Sequence, residues 1–585
     1  MGKRFWRNKM NRTNLIFLSF ILLLGLSYYQ SMHFDFTRLD DYEQVVNNSN
    51  IRSLNFSKLS AIFQSTSVGM YQPFTTLIYA IIYSVFGLNP IAYHLTSLVF
   101  HLLNGILIYA LLKRFNIQPL MRLLLTGIFL FHPMQVESVA WVSAFSNLVF
   151  SCFFLGGLRA YWHFKVKEKK SFYFLSILLF LIACFSKSSA VVFPLILVLI
   201  DYFQDGKFRL KSVINKIPFL AISIVFGLIT LSSREAAGHL SDLSVGFDLI
   251  DRFFLLCYTV LFYPFKFLFP ANLSVFYPYP EVFGGLLPLQ YYLSAVLLAF
   301  LFYLFWKYKA KKQLLFGLGF YLFSIAPVLH FIPVGNQLTT DRYIYLPMLG
   351  ILLIFEFITR PYLRTQKAFY ALFLLPLLFA VISHHRAAIW ESDEKIWKDV
   401  LQQYPKVAQA HNNLGSALLE EGETAKALQH FNRAIALKPY YADAHINKGN
   451  LLAQSGKSEQ AVKAFSRAIE LRPHANAYFN RGNEYSRQGR YNLAIADYSK
   501  SIQLKAGADA YTNRAFAYVQ IREMKKARAD VKEAVLLSPD YHQAYLIEGM
   551  SYHLENQIQL ACQAFEKAIA KGNENARKVY EKLCR

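Results

Sequence analysis

The sequence predicts an all-α protein in two parts, a helical membrane body followed by an α-solenoid of stacked helix pairs. Three observations carry this. Of 585 residues, 55% are hydrophobic, 16% aromatic and only 17% charged, a balance that suits a chain crossing a membrane many times. The long apolar runs stop near residue 386, and the remainder is polar and amphipathic. From residue 405 onward, prolines, alanines and small residues recur every 33 or 34 positions.

The first apolar run follows "MGKRFWRNKMNR", whose five basic residues (Lys3, Arg4, Arg7, Lys9, Arg12) place the N-terminus in the cytoplasm. Bulky Tyr28, Tyr29 and Gln30 follow the run in place of a small-x-small cleavage site, so residues 14–31 read as an uncleaved span. Further runs fall at about 73–86, 91–112, 119–132, 139–164, 171–187, 188–203, 216–233, 251–269, 289–306, 314–332, 343–359 and 368–386. Counting all of them as spans puts the basic stretch 111–122 outside, against the positive-inside rule. The segments 73–86 and 251–269 are bounded or broken by Pro73, Gly87 and Pro90, and by Pro264 and Pro270. With these two lying at the outer surface, about eleven spans remain. The basic loops (Lys113/Arg114/Arg122, 165–170, 207–216, 307–312, 360–367) then all fall inside. The Asp40–Asp41 loop, "HPMQVES" (132–138), "KSSA" (187–190), the stretch 234–289 and "GNQLTTDRYIYLP" (335–347) fall on the other face, with the tail. Polar residues gather there, so that is where chemistry is expected.

The net charge of +24 does not indicate nucleic acid, because Lys and Arg cluster in short loops between apolar runs. Cys152, Cys184, Cys257, Cys562 and Cys584 show no CxxC spacing, and neither a disulfide framework nor a zinc site is expected. No phosphate loop, dinucleotide fingerprint or HExxH occurs. No cluster has metal-ligand spacing, so neither a metal nor a cofactor is expected. A lipid-linked substrate entering from the bilayer would suit such a body.

In the tail, Pro405, Pro439 and Pro473 share a period with Ala427, Ala461, Ala494, Ala527 and Ala561, and with the small residues Gly415, Gly449, Gly482, Ala515 and Gly549. This is the tetratricopeptide pattern, about five helix pairs over 405–585 with "NENARKVYEKLCR" as a capping helix. Residues 387–404 read as a helical joint to the membrane domain, 1–386. Asn413, Asn447, Asn480 and Asn513 hold one position in four successive first helices, and Ile547 ends the series. Carboxamides can pair with a peptide backbone whatever its side chains. The ladder could therefore hold an acceptor polypeptide, or bond within the repeats.

Several stretches together carry a resemblance: "FTRLDDYEQV", "YQPFTTLIYAIIYSVFGLNPIAYH", "FHPMQVESVAWVSAFSNL", "FSKSSAVVFPLILVLIDYF", "LFPANLSVFYPYP" and "DRYIYLPMLG", followed by the repeats. In this order they resemble the transmembrane and tetratricopeptide repeat-containing protein O-mannosyltransferases and their bacterial relatives, of the glycosyltransferase C superfamily. The resemblance implies a polyprenyl- or dolichyl-phosphate sugar donor and a protein Ser/Thr hydroxyl acceptor. It also implies inversion at the sugar carbon and acidic residues in the first outer loop.

Transfer to a hydroxyl needs a general base, and one of Asp40 and Asp41 suits that role; two adjacent carboxylates would raise one another's pKa. Alternatively they cap a surface helix. The leaving phosphate needs cationic partners, for which Arg342 comes first and Lys187 second; Arg342 could also simply snorkel beside Tyr343 and Tyr345. His94, His101 and Asn104 share one helix face and read as site lining or as interhelical hydrogen bonds. His132, Glu137 and Tyr345 complete the candidate lining.

Two other classes compete. A non-enzymatic membrane scaffold would present the repeats to partners, but an anchor needs only one span. A transporter would place ionisable groups at mid-membrane with internal symmetry, and neither is seen. The expected location is a bacterial-type cytoplasmic membrane, or alternatively the endoplasmic reticulum, with the active face non-cytosolic.

Overall fold

The computed structural model describes residues 12–207, 213–236, 247–282, 284–307, 311–329, 337–362 and 371–584. Lys3, Arg4, Arg7 and Lys9 lie outside the described residues. So do parts of the loops 207–216, 307–312 and 360–367, and of the stretches 234–289 and 335–347. The chain divides into two compact units, Met1–Tyr404 and Pro405–Arg585.

Among its described residues, the regular structure of the first unit is helical apart from one short antiparallel pair, Tyr277–Pro278 with Gln337–Thr339. Among the described residues, six helices are long and apolar enough to cross a membrane: Leu15–His33, Pro90–Phe115, Val142–Lys167, Ser188–Asp205, Ile217–Ala236 and Leu289–Lys307. A seventh is reached if Pro119–Phe131 and Pro133–Ala140, bent by 50°, count as one span. The remaining runs of the eleven-span reading form shorter helices, Lys170–Ser186, Lys312–Val328, Met348–Thr359 and Leu374–Ala387. Sequence hydropathy registers apolar length alone, whereas caps and breaks decide how much of it stays helical. Pro73–Phe86, at 14 residues, is about 21 Å long and shorter than a bilayer core of roughly 30 Å. The helix Leu249–Leu268 keeps Pro264 inside it and Asp251, Arg252 and Lys266 near its ends.

Glycines set one close helix crossing. A Cβ on Gly350 would lie 2.5 Å from the Gly317 carbonyl oxygen, so the helices Lys312–Ile325 and Met348–Thr359 meet backbone to backbone. This contact fixes the segment 337–347 that leads into the second helix. The helix Pro73–Phe86 braces two other loops. Tyr79 donates to the Val142 carbonyl at 2.7 Å, and Thr75 donates to the Ser186 carbonyl at 3.1 Å. Residues 388–403 also belong to this unit: Trp390 stacks on Trp141 at 5.4 Å, and Arg386 pairs with Asp399.

The second unit contains five helix pairs from Ala408–Glu420 to Ile558–Ala570, followed by Glu574–Leu583. Its packing explains the small-residue period. Cβ atoms on Gly415, Gly449, Gly482 and Gly549 would lie 2.3–2.8 Å from Phe431, Phe465, Tyr498 and Phe565. Where the first helix carries Ala515, the partner is the smaller Val531 in the same core. Contrary to the expectation from spacing, Cys562 and Cys584 form a disulfide across 22 residues, tying the last helix to the one before it. A CxxC search misses it because the two cysteines meet through a helix hairpin, where sequence proximity plays no part.

Candidate functional site

A cavity of about 560 Å³ gathers residues from seven separated segments of the first unit. Asp40, Lys187 and Arg342 all line it, with Gln72, Trp141, Ser143, Asn147, Arg234 and Tyr343. One wall is apolar. Ile224, Leu228 and Leu231 line it from the helix Ile217–Ala236 and are themselves 63%, 60% and 45% exposed. This helix face is thus both cavity wall and open surface.

The two aspartates have different surroundings. Asp41 is buried, with Oδ2 accepting from the Thr37 N–H at 2.9 Å and its hydroxyl at 3.0 Å. Its Oδ1 accepts from the Ser143 N–H at 2.8 Å and from the Ser143 hydroxyl. This carboxylate knots the first loop onto the 141–144 turn. Burial pushes its pKa up to about 6, against the lowering effect of those donors, so desolvation and not the neighbouring carboxylate dominates. Arg38, two residues before Asp40, is anchored through its N–H to Asp393 at 3.0 Å. Asp40 sits between these anchors and reaches the cavity.

Lys187 follows the last residue of the helix Lys170–Ser186 in extended backbone, and its Nζ donates to Asn147 Oδ1 at 2.5 Å. Burial, and then the charge of Arg342, lower its pKa to about 7. Arg342 lies in the turn Asp341–Ile344; its guanidinium pairs with Glu137, whose other oxygen accepts the Arg342 N–H at 2.8 Å. The same guanidinium lies 5.2 Å from the ring centres of Trp141 and Tyr343. It is therefore held by a carboxylate and two rings, which rules out a merely snorkelling side chain.

The histidines expected to line the site do not line this cavity; His101 and His132 brace the elements beside it. His101 donates from Nε2 to the Leu130 carbonyl at 3.0 Å and accepts from the Tyr345 hydroxyl at 2.7 Å through Nδ1. Asn104 also donates to that hydroxyl, at 3.1 Å. Together they anchor Tyr345, three residues after Arg342. His132 accepts from the Met134 N–H and donates to the Phe267 carbonyl at 3.0 Å, capping the turn before Glu137. His94 is buried, 3% exposed, and absent from the lining. Glu137 acts on the cavity through Arg342, while Tyr345 lines a small adjoining space with Asn147, Lys187 and Arg342. Among the described residues no group of three His, Cys, Asp or Glu could hold a metal.

Sequence reasoning passed over Asn147, Arg234 and Asp341. Asn147 is a polar residue inside an apolar run, and Arg234 is a basic residue at the end of one, both available signals. Asp341 accepts from the Tyr277 hydroxyl at 2.7 Å, and burial, then Glu137, raise its pKa to about 7.

In the second unit the asparagines bond across repeats. Asn447 donates to Asn412 Oδ1 at 3.0 Å, Asn480 to Asn450 Oδ1 at 2.8 Å, and Asn513 to Asn483 Oδ1 at 2.8 Å. Asn413 accepts from Asn412 at 3.1 Å. Each of the first three amides thus commits one N–H to the preceding repeat.

Tetratricopeptide repeat models match residues 418–480, 475–506 and 508–541. A protein O-mannosyl-transferase of Caenorhabditis elegans is 25% identical, covering 72% of this chain and 63% of that protein. Human protein O-mannosyl-transferases TMTC3 and TMTC4 are 23% and 24% identical, covering 70% and 67% of this chain and 50% and 62% of theirs. The chain therefore spans between half and just under two thirds of these relatives' length. Among solved structures, the tetratricopeptide protein YrrB aligns with 32% of the chain at 16% identity and a TM-score of 0.30. The chain is thus a homologue of the transmembrane and tetratricopeptide repeat-containing protein O-mannosyl-transferases, with tetratricopeptide repeats in its C-terminal part.

Proposed function

We propose that the protein transfers a mannose-like sugar from a polyprenyl-phosphate donor to Ser/Thr hydroxyls of proteins on the non-cytosolic face of a membrane. The observation that carries this is the convergence of Asp40, Lys187 and Arg342 on one cavity, in a homologue of named protein O-mannosyl-transferases. In this reading Asp40 takes the proton of the acceptor hydroxyl as its oxygen forms the new bond to the sugar carbon. The bond from that carbon to the phosphate oxygen breaks, and the electron pair leaves with polyprenyl phosphate. Lys187 and Arg342 stabilise the phosphate as charge develops on it. Attack opposite the leaving group inverts the sugar carbon. No cofactor or metal enters this scheme.

The exposed apolar wall at Ile224, Leu228 and Leu231 supports an isoprenoid donor over a water-soluble one. The repeats recruit the acceptor, the asparagine series contributing the amide groups not committed to neighbouring repeats. The Cys562–Cys584 disulfide supports a non-cytosolic, oxidising compartment for the repeat unit. A bacterial cytoplasmic membrane fits the reading, and the endoplasmic reticulum fits it equally.

The test is sugar transfer from a set of polyprenyl-phosphate sugars to secreted-compartment protein by wild type and Asp40→Asn. Loss of transfer in a folded Asp40→Asn variant supports the enzyme. Absence of transfer by wild type with every donor supports a scaffold instead.

A further inference from the structure

A second cavity, of about 610 Å³, lies at the other end of the helix that carries Asn147. His163, in its lining, is sixteen residues further along the helix Phe145–Lys167, about 24 Å at 1.5 Å per residue. The helix Pro90–Leu112 contributes Tyr109, and the turn Lys113–Phe115 contributes Lys113 and Arg114. Arg122 enters from the helix Pro119–Phe131, and Arg159, Trp162 and His163 from Phe145–Lys167.

Four cationic side chains face this hollow, and no carboxylate is among the described residues that line it. Arg122 is the most telling. It is only 9% exposed, its Nε–H is buried without an acceptor, and its guanidinium lies over the Tyr109 ring at 4.5 Å. A buried guanidinium donor without an acceptor is costly, and four like charges around one hollow add repulsion. His163 does not relieve this: with Nδ1–H donated to the Arg159 carbonyl at 2.8 Å, Nε2 accepts from Arg114 at 3.0 Å. The same bundle end shows the alternative. Nearby Lys165 and Lys216 are neutralised by Asp201 and Asp205. Cations here are paired internally when structure alone is at stake, and the second hollow departs from that pattern.

We infer that this hollow binds a phosphate-bearing anion, either the headgroup of an anionic phospholipid or a soluble phosphate. Planar guanidinium groups suit phosphate oxygens bidentately. Trp162, 4% exposed, and Tyr109 supply aromatic walls beside the guanidinium groups. The site is separate from the transfer cavity and does not depend on the transferase reading.

The experiment uses full-length protein purified in an uncharged detergent. Retention of phosphatidylglycerol and of phosphatidylcholine is counted by native mass spectrometry, and inorganic phosphate is added as competitor. Wild type is expected to retain one phosphatidylglycerol in preference to phosphatidylcholine. Arg122→Gln/Arg159→Gln is expected to lose roughly tenfold or more in affinity, and Lys167→Gln, on the same helix outside the hollow, to lose nothing. Arg159→Gln alone, at an exposed side chain, serves if the double variant does not fold, with a smaller loss expected. Phosphatidylglycerol resisting millimolar phosphate identifies the lipid as ligand; displacement by phosphate identifies the soluble anion. Equal retention of both lipids without phosphate binding, or equal loss in Lys167→Gln, overturns the site.

Discussion

Lys187 should make donor binding depend on pH in a way that no other group in the cavity reproduces. Burial and the neighbouring Arg342 lower its pKa to about 7. In the unliganded protein it is therefore charged at pH 6 and largely neutral at pH 9. A sugar linked through a phosphodiester keeps one negative charge throughout that range, so the donor itself does not titrate. The anion pairs with the charged lysine, so binding above pH 7 must first restore the proton. Two pH units above the pKa leave about one site in a hundred protonated, so the donor KM should rise about a hundredfold between pH 6 and 9. The sign follows from lysine being charged only when protonated, and the lowered pKa brings the loss of that charge into this pH range. Lys187→Arg keeps the charge and should flatten the profile. Lys187→Met should raise KM at pH 6 and also flatten it. The assay is initial-rate transfer to a Ser/Thr peptide with the donor varied at each pH. A wild-type KM that stays level, or a slope that survives in Lys187→Arg, refutes the role assigned to Lys187.

Asp40→Asn should lower kcat by roughly 10²–10⁴-fold, the usual contribution of a general base, with a melting temperature close to wild type. Asp41→Ala should act on stability instead, because the Thr37 and Ser143 N–H groups lose their buried acceptor, about 1–3 kcal/mol each. Melting at pH 5, below the pKa of about 6 of the wild-type carboxyl, excludes relief of a buried charge from that comparison. Gly449→Ala puts a Cβ 2.6 Å from Phe465 and should cost about 1–3 kcal/mol; an unchanged melt of the repeat unit contradicts the packing. Reducing Cys562–Cys584, which closes 22 residues, should destabilise the terminal hairpin by about 3 kcal/mol. Hydrogen exchange should then rise first in Glu574–Leu583; unchanged protection there contradicts the tether.

The order of the two parts, the helix-pair repeat and the residue types the proposed chemistry needs were already legible in the amino-acid sequence. Apolar runs and a 34-residue period are local patterns, and burial forces them into helices whatever surrounds them. The repeat spacing even encoded its own packing, since glycine stands opposite an aromatic ring and Ala515 opposite Val531. Only the tertiary structure separated Asp40 from Asp41. Adjacent residues in a turn leave in different directions, and one is enclosed by Ser143, a residue 102 positions away. The same holds for His101 and His132, which read as site lining until Tyr345 and the Leu130 and Phe267 carbonyls come within hydrogen-bonding distance. Charge neutralisation was equally invisible in one dimension. Arg342 meets Glu137 and Lys216 meets Asp201, whereas Arg122 lines a hollow without a carboxylate among its described neighbours. Which partner a charge meets depends on long-range packing, and that packing paired Lys216 with Asp201 while leaving Arg122 facing a ligand-sized space.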